Sequence, residues 1–311
     1  MRILVTGASG LIGRPLARRL ASAGHRVWGT YASASEANPG VELRRMRLET
    51  PGEGAALARE LAPEAVLHAA ANASPDACEK DPAMARRVNA EASRELAAAC
   101  AQMGARFVFL STEQIFDGKN APYREEAAPS PLSAYGKSKA EAEYLCRAAC
   151  PRSLMVRVSL TFGFKEAGAP SFTDSMLASL RRGEKLKAFS DQRRAMLWVG
   201  DAVELLARAL ERPDIDAAFP NRVANLAGLE GVTRQRFAEA LCDAFGLSRS
   251  LVIPGTTADA KLSAPRPLDC TLDGSRLWQA TGHRPKSVEK SLAELAKDGI
   301  RRWIRSQGGT S

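Results

Sequence analysis

The sequence predicts an α/β fold built on a parallel β-sheet, and three observations support this prediction. Short apolar segments alternate with longer helix-like segments through the first 160 residues. The first apolar segment leads directly into glycines at Gly7, Gly10 and Gly13. After residue 160 the alternation loosens. Strands that alternate with helices are joined by right-handed crossovers, and such connections give a parallel sheet.

The predicted strands are short apolar segments, which are typical of strands buried in a parallel sheet. They cover residues 2–6, 25–31, 65–70, 107–111, 154–158 and 222–226. The predicted helices cover residues 14–23, 55–61, 82–101, 134–149, 172–182, 200–211, 233–245 and 288–304. Pro15 suits a first helical turn, Gly24 ends that helix, and Thr233 is the expected N-cap of a later one. Residues 254–266, rich in Thr, Ala and Pro, are expected to form an irregular loop.

The composition favours a globular protein without a nucleic-acid or membrane partner. The chain has 311 residues, a net charge of +9 and 45% hydrophobic residues, which fits one or two domains. Its basic residues occur as scattered pairs, so a solvated surface is favoured over nucleic-acid binding. Some arginines are expected to hold phosphates of a cofactor or substrate. No apolar stretch reaches the roughly 18–20 residues of a membrane span, and we find no signal peptide. We therefore expect a cytoplasmic protein.

The cysteines and histidines form no metal-binding pattern. The cysteines are Cys78, Cys100, Cys146, Cys150, Cys242 and Cys270, and the histidines are His25, His68 and His283. No Cys-x-x-Cys pair occurs, so we expect reduced cysteines that pack as small core residues. The histidines are far apart in sequence, and we therefore expect no metal site.

The glycine segment at the first strand predicts a phosphate-binding turn. It reads Thr6-Gly7-Ala8-Ser9-Gly10-Leu11-Ile12-Gly13. One glycine permits the tight turn, one lets the backbone approach a pyrophosphate, and one lets the helix pack on the strand. The helix N-terminus then faces the phosphates. Gly7, Ser9, Gly10, Leu11, Ile12 and Gly13 are therefore predicted to bind a dinucleotide.

The end of the second strand bears on the choice between NAD and NADP. An acidic residue about 20 residues beyond the glycines binds the ribose of NAD, but here no acid occurs before Glu36. Without that carboxylate nothing repels a ribose 2′-phosphate, and Arg14, Ser33 and Ser35 are candidates to bind one. Tyr31 lies at the same strand end. We therefore favour NADP(H). The alternative is that Arg14 merely begins the helix and that NAD(H) is also used.

Tyr135 and Lys139 form a candidate proton-transfer pair. They lie one helical turn apart, so both side chains face the same way. A nearby ammonium favours phenolate and lowers the pKa of a tyrosine, which is ordinarily near 10. Tyr and Lys meet at this spacing on many surface helices, but together with the glycine turn the pair indicates a nucleotide bound beside a proton donor.

Taken together, these motifs resemble an extended short-chain dehydrogenase/reductase. The superfamily likeness rests on the glycine turn, Ala69-Ala70-Ala71, Asn89, Ser111-Thr112 and Tyr135-x-x-x-Lys139. Further segments resemble the dTDP-4-dehydrorhamnose reductase branch. These segments are Ser111 to Gly118, Pro122 to Glu126, Tyr135-Gly136-Lys137, Asp191-Gln192, Arg266-Pro267 and Leu272-Asp273. The likeness covers nearly the whole chain.

The resemblance implies a Rossmann-type doubly wound parallel sheet with a smaller C-terminal α/β substrate domain. Residues 1–160 form the expected cofactor domain, with returning elements near 195–226, and residues 161–311 form mainly the substrate domain. Tyr135 would donate a proton, Lys139 would hold the nicotinamide ribose, and Thr112 would hydrogen-bond the reacting oxygen. Leu48 and Ala69 to Ala71 would line the cofactor site. The long helices suggest a possible homodimer, as in many relatives.

Departures from the branch pattern concern the substrate. Gln114 stands where the branch has an aromatic residue, Leu160 replaces a tryptophan, and Arg47 replaces an acid near the adenine. These changes leave the identity of the sugar open. The predicted substrate-binding residues are Glu113, Gln114, Arg193, Arg194, Trp198 and Arg266. For Arg193-Arg194 the alternative is an exposed basic pair on a surface loop.

Three functions remain open at this point. The first is an NADPH-dependent reductase of a nucleotide-activated 4-keto sugar, as in dTDP-rhamnose biosynthesis. The second is an NAD-dependent nucleotide-sugar epimerase or dehydratase on the same fold. The third is a non-catalytic NADP-binding regulatory subunit like that of methionine adenosyltransferase.

Overall fold

The computed structural model describes residues 1–33, 36–166 and 168–307, with side chains as far as Lys297. The strands are β1 (Arg2–Thr6), β2 (Arg26–Tyr31), β3 (Val41–Arg45), β4 (Ala65–His68), β5 (Arg106–Leu110), β6 (Ser153–Val158), β7 (Thr161–Phe162), β8 (Leu186–Phe189), β9 (Arg193–Arg194), β10 (Leu197–Trp198), β11 (Val223–Leu226), β12 (Val232–Thr233) and β13 (Val252–Gly255). The helices are α1 (Gly13–Ser22), α2 (Glu53–Leu61), α3 (Pro75–Lys80), α4 (Pro82–Arg86), α5 (Ala92–Met103), α6 (Ala134–Ala149), α7 (Phe172–Arg181), α8 (Val199–Glu211), α9 (Arg234–Phe245), α10 (Ser275–Thr281) and α11 (Val288–Gln307). A π-helical turn, Arg87–Glu91, joins α4 to α5.

The central feature is a seven-stranded sheet in the order β11-β6-β5-β4-β1-β2-β3. Every strand pair in it is parallel. From β1 the chain first adds β2 and β3 on one side and then crosses to β4 on the other. At such a switch point the connections diverge and leave a crevice outside the carboxyl ends of the strands. The predicted α/β fold with a doubly wound parallel sheet is confirmed.

Both faces of the sheet are covered by helices. Since side chains alternate along each strand, each strand contributes residues to both buried faces. Ile3 and Val5 belong to a core cluster with α1 and α8. Leu4 belongs to the opposite cluster, with α5 and α6. This two-sided burial explains why the strands read as nearly continuous apolar runs in the sequence.

The later part of the chain divides between the sheet and a separate core. Strand β11 extends the sheet beside β6, and α8 packs with α1 in the same cluster. The pairs β10–β7, β12–β9 and β13–β8 form small sheets. A third cluster, including Phe162, Phe237 and Leu292, packs these elements together. The predicted domain boundary near residue 160 stays a prediction.

The structure contains elements that the sequence pattern did not indicate. Strand β3 lies at the sheet edge and is only partly buried, so it has no continuous apolar run. Helix α3 has six residues and is defined by Ser74 as N-cap and Pro75 in its first turn. Helix α10 and strand β13 were not predicted either, and β13 includes Pro254 and Gly255, the first two residues of the segment that was expected to be a loop. Within the described residues no helix is long and apolar enough to cross a membrane.

A buried ion pair fastens α6 to β6. The Arg157 guanidinium contacts the Glu143 carboxylate at 3.0 Å, and both side chains are almost fully buried. Its remaining nitrogen donates to the main-chain carbonyls of Glu125 and Ala127 at 3.1 Å each. The charge on Arg157 is therefore compensated in several directions.

We expect Glu143→Ala to destabilise the protein by about 3–5 kcal/mol, because it leaves Arg157 as a buried charge without its partner. Urea denaturation with a two-state analysis measures this loss. The matched control is Glu184→Ala, which breaks the exposed Arg182–Glu184 pair and should change stability little. Equal small losses in both variants would contradict the role given to the buried pair.

Candidate active site

The glycine turn brings three stretches of backbone unusually close together. Gly7 has a φ of +69°, and a Cβ there would lie 2.8 Å from the Ala70 nitrogen. A Cβ on Gly13 would lie 2.3 Å from the Gly7 carbonyl oxygen. Both positions therefore require glycine, the first also because of its left-handed backbone.

The start of α1 has the character of an anion site. Ile12 is the N-cap, and no side chain caps the helix. Within the described residues, the N–H groups of Leu11 and Ile12 have no protein acceptor. Free N–H groups at a helix N-terminus bind phosphate. The turn therefore fits the pyrophosphate of a dinucleotide.

A cleft of about 650 Å³ runs from this turn across the sheet edge, and we call it the dinucleotide cleft. Its lining includes most of the residues predicted to bind cofactor. They are Gly7, Ser9, Gly10, Leu11, Ile12, Gly13, Tyr31, Leu48, Ala69, Ala70 and Ala71. Thr6 shapes one wall, since its hydroxyl accepts hydrogen bonds from the Ala69 and Ala70 N–H groups at 3.1 Å.

Burial lowers the pKa of neighbouring His68 to about 3, so that ring is neutral.

A side cavity of about 250 Å³ lies at the end of β2. Tyr31, Ser33, Arg14 and Glu36 contribute to its lining. Arg14 already donates to the carbonyls of Glu36 and Ala37 at 3.1 and 2.6 Å, so its predicted role on a cofactor phosphate competes with these contacts. Ser35 lies outside the described residues.

Thr112, Tyr135 and Lys139 line another cavity of about 270 Å³, which we call the catalytic cavity. It shares Ile12, Ala69, Ala71, Ala73 and Leu110 with the dinucleotide cleft, so the two spaces adjoin. The side chains come from the carboxyl end of β5 and from α6, which is where a doubly wound fold places reactive groups.

Lys139 is buried beneath this cavity. Its ammonium donates to the Leu110 carbonyl at 2.6 Å and lies 3.9 Å from the centre of the Phe109 ring. Burial lowers the pKa of Lys139 to about 7. The lysine is therefore held by a carbonyl and a ring, in a site that disfavours its charge.

The expected lowering of the Tyr135 pKa does not occur in this structure. Burial instead raises the pKa of Tyr135 to about 12, and interaction with the Thr112 hydroxyl opposes this only in part. The physical reason is that the Lys139 ammonium is directed at Leu110. Tyr135 consequently keeps its proton at neutral pH.

Gly136 explains why a small residue follows the tyrosine. A Cβ at Gly136 would lie 2.2 Å from the Gln114 carbonyl oxygen. The Gln114 N–H in turn donates to the Thr112 hydroxyl at 3.2 Å. Close packing of α6 against this segment therefore sets the position of Thr112 relative to Tyr135.

Glu113 and Arg194 form a buried ion pair at 2.8 Å. Glu113 also accepts hydrogen bonds from the Ser159 hydroxyl and the Leu160 N–H. The remaining Arg194 nitrogens donate to the carbonyls of Arg193, Leu268 and Pro267. Both groups were predicted to bind substrate, but their polar atoms already have protein partners. A buried charge is stable only when paired. Glu113 also lines the catalytic cavity, and a substrate-binding role for the two residues stays a prediction.

The other predicted substrate residues lie in different places. Gln114 lines the catalytic cavity. Trp198 lines a separate cavity with Gly10, Leu11 and Arg14. Arg266 pairs with Asp76 at 2.8 Å. Arg193 is half-exposed, donates to the Gly231 carbonyl at 2.7 Å, and lies 3.7 Å from Asp269.

Sequence reasoning did not name two groups as site residues, namely the Ser111 hydroxyl beside the catalytic cavity and Lys165 beside the cleft. Among the residues that the structure describes, the Ser111 hydroxyl and the side-chain oxygen of the predicted residue Gln114 are buried without a hydrogen-bond partner. Lys165 reaches the dinucleotide cleft from the loop after β7. The sequence did not indicate a site role for Ser111 or Lys165, because their positions depend on contacts between distant segments.

The six cysteines are buried free thiols, as expected. Within the described part of the chain, no cluster of three or more potential metal ligands occurs.

Comparison with known proteins identifies the family. A family model described as the RmlD substrate binding domain matches residues 1–300. The chain belongs to this family. It is 30% identical over 301 residues to a probable low-salt glycan biosynthesis reductase, Agl14, of Haloferax volcanii, covering 95% of this chain and 97% of that protein. It is also 30% identical over 281 residues to the methionine adenosyltransferase 2 subunit beta of Xenopus tropicalis, covering 89% and 81% respectively.

Solved structures of similar fold include reductases and an epimerase. A dTDP-4-dehydrorhamnose reductase of Clostridium acetobutylicum has a TM-score of 0.79 at 25% identity, covering 97% of this chain and all of that one. A Bacillus anthracis dTDP-4-dehydrorhamnose reductase in complex with NADP has a TM-score of 0.81 at 20% identity, covering 96% and 99%. A UDP-glucose 4-epimerase of Thermotoga maritima has a TM-score of 0.82 at 23% identity, covering 97% and 100%.

The predicted superfamily and branch are thus confirmed. The prediction of an NAD(P)-dependent oxidoreductase agrees with the reductases among these relatives. The two neighbours below 25% identity bear on the fold alone.

We expect Lys139→Met to stabilise the protein most below about pH 7. The pKa of Lys139 is about 7 in the fold against an ordinary 10.5. Between about pH 7 and 10.5 the unfolded wild-type chain binds more protons than the folded one, so the stability of the wild type rises with pH. Below about pH 7 Lys139 is charged in both states, and the wild type bears the full cost of burying that charge. The difference in unfolding free energy, variant minus wild type, should therefore fall steadily between about pH 7 and 10.

Urea denaturation across this pH range measures the difference, and exposed Lys185→Met is the matched control. A difference that stays constant with pH would contradict a depressed Lys139 pKa.

Proposed function

We propose that this member of the RmlD substrate binding domain family is an NADPH-dependent reductase of a nucleotide-activated 4-keto sugar. One observation carries the proposal: Thr112, Tyr135 and Lys139 line a single cavity that adjoins the dinucleotide cleft. Ketone reduction needs a proton donor and a hydrogen-bond donor at the carbonyl oxygen, next to the nicotinamide.

The chain's own groups suit the proton-transfer half of this reaction. When bound, a reduced nicotinamide supplies hydride to the carbonyl carbon. Tyr135, with its pKa raised to about 12 by burial, retains the proton that the substrate oxygen requires. Thr112 donates a hydrogen bond to the same oxygen. Lys139 lines the same cavity and would hold the nicotinamide ribose.

The lining of the catalytic cavity supports a hydroxyl-rich substrate. The Ser111 hydroxyl and the Gln114 side-chain oxygen have no hydrogen-bond partner in the described part of the chain, and buried polar atoms are normally satisfied. Sugar hydroxyl groups would satisfy both. Gln114 occupies the position where the branch has an aromatic residue, so it would select by hydrogen bonding rather than by stacking. Arg193, half-exposed, is the candidate for the diphosphate.

NADPH is the favoured cofactor. The side cavity at the end of β2 is lined by Tyr31 and Ser33, and Glu36 contributes a carboxylate to the same lining. The Bacillus anthracis reductase of the same fold was solved with NADP. NADH stays an alternative cofactor, since Glu36 is able to accept a hydrogen bond from a ribose hydroxyl.

A second candidate function is a regulatory, non-catalytic role. The methionine adenosyltransferase 2 subunit beta of several vertebrates is about as similar in sequence as Agl14 is. A complete Thr112, Tyr135 and Lys139 set does not distinguish the two roles. A regulatory protein would bind the dinucleotide, reduce no sugar and co-purify with a partner enzyme.

The test is NADPH oxidation with dTDP-, UDP- and GDP-linked 4-keto sugars. We expect turnover with at least one of them, and a loss of about 10²–10⁴-fold in kcat for Tyr135→Phe, because the proton donor is removed. NADPH binding by this variant should remain near wild type. Tyr144→Phe, at an exposed position of the same helix, is the control and should be fully active.

Unchanged turnover in Tyr135→Phe would refute the assigned proton donor. Tightly bound NAD in the purified protein, without net NADPH oxidation, would favour an epimerase. Turnover with no sugar of the panel, together with a co-purifying enzyme, would favour the regulatory role.

A further inference from the structure

Lys165 lies where three cavities of the molecule meet. It lines the dinucleotide cleft, the side cavity at the end of β2, and the cavity next to Trp198. Among residues 1–33, 36–166 and 168–297, no side chain or carbonyl forms a hydrogen bond or ion pair with its ammonium. A lysine without a partner beside a cleft that fits a dinucleotide is a candidate ligand for phosphate.

The neighbouring residues fix where Lys165 stands. The Glu166 carboxylate pairs with both terminal nitrogens of Arg18 at 2.6 Å and lies 3.5 Å from the Arg14 guanidinium. The main-chain N–H of Lys165 donates a hydrogen bond to the Asp174 carboxylate at 3.0 Å. The loop after β7 is therefore tied to α1 on one side and to α7 on the other, and the Lys165 side chain is left facing the cleft.

The charges around the side cavity single out Lys165. Of the basic groups that line it, Arg14 is committed to the carbonyls of Glu36 and Ala37 and lies close to Glu166. Lys165 is the other basic side chain of this lining. Glu36 contributes the opposing carboxylate, and Ser33 contributes a hydroxyl. A phosphate in this cavity would therefore be attracted by Lys165, repelled by Glu36 and hydrogen-bonded by Ser33.

We propose that Lys165 binds the adenosine 2′-phosphate of NADPH from the opposite side of the cleft to β2. This inference rests on the proposed function, because it assumes that the cleft holds NADPH. It assigns the recognition of the extra phosphate to a residue beyond position 160, rather than to the strand end alone. Cofactor binding would then tighten the contact between the loop after β7 and the sheet edge.

The test is a fluorescence titration of the full chain with NADPH and, separately, with NADH, in the absence of any sugar. We expect Lys165→Met to raise the Kd for NADPH by about tenfold or more and to leave the Kd for NADH unchanged, since a charge-assisted contact is lost. Glu36→Gln should act in the opposite direction and lower the Kd for NADPH. Lys165→Arg should largely restore binding, and exposed Lys185→Met is the control.

An equal loss of affinity for both cofactors would overturn the proposal, because Lys165 would then contact the shared pyrophosphate. Unchanged binding of both, or a wild type that does not bind NADPH, would overturn it as well. Thermal unfolding of each variant separates these results from misfolding. The two proposals fail separately: a wild type that binds NADPH through Lys165 but reduces no sugar contradicts only the proposed function.

Discussion

The site depends above all on the buried ion pair between Glu113 and Arg194. One carboxylate oxygen faces Arg194 at 2.8 Å, and the other accepts hydrogen bonds from Ser159 and Leu160 at the end of β6. Arg194 in turn holds the carbonyls of Pro267 and Leu268. Burial raises the pKa of Glu113, and the Arg194 charge opposes this. Four separate segments thus contact one buried ion pair, and removing either charge would leave the other buried without its partner.

The ion pair between Glu113 and Arg194 helps to position the reactive groups. Thr112 immediately precedes Glu113, and Gln114 follows it, so anchoring Glu113 fixes both at the wall of the catalytic cavity. Gly136 allows α6 to approach the Gln114 carbonyl, which brings Tyr135 to the same wall. The chemical groups are small and common, and their value lies in being held in place before substrate arrives.

The sequence predicted the sheet and the glycine turn after β1, because both depend on local patterns. Buried strands form apolar runs, and the spacing of Gly7, Gly10 and Gly13 reflects backbone contacts that a Cβ would block. Strand β3 was not predicted, because a partly buried edge strand needs no continuous apolar run. The contacts of Arg194 and the location of Lys165 could not be predicted, since the sequence does not reveal which distant carboxylate or cavity a charged side chain faces.

The central claim is that the chain delivers a proton from Tyr135 while NADPH reduces a sugar ketone. The most direct measurement uses NADPH carrying deuterium at C4 of the nicotinamide, in each stereochemical form, with a nucleotide-linked 4-keto sugar that supports turnover. Mass spectrometry and NMR of the product then locate the label. The account predicts deuterium at C4 of the sugar from one of the two forms, with equimolar NADP⁺. A product that carries no deuterium at C4 of the sugar from either form would contradict it.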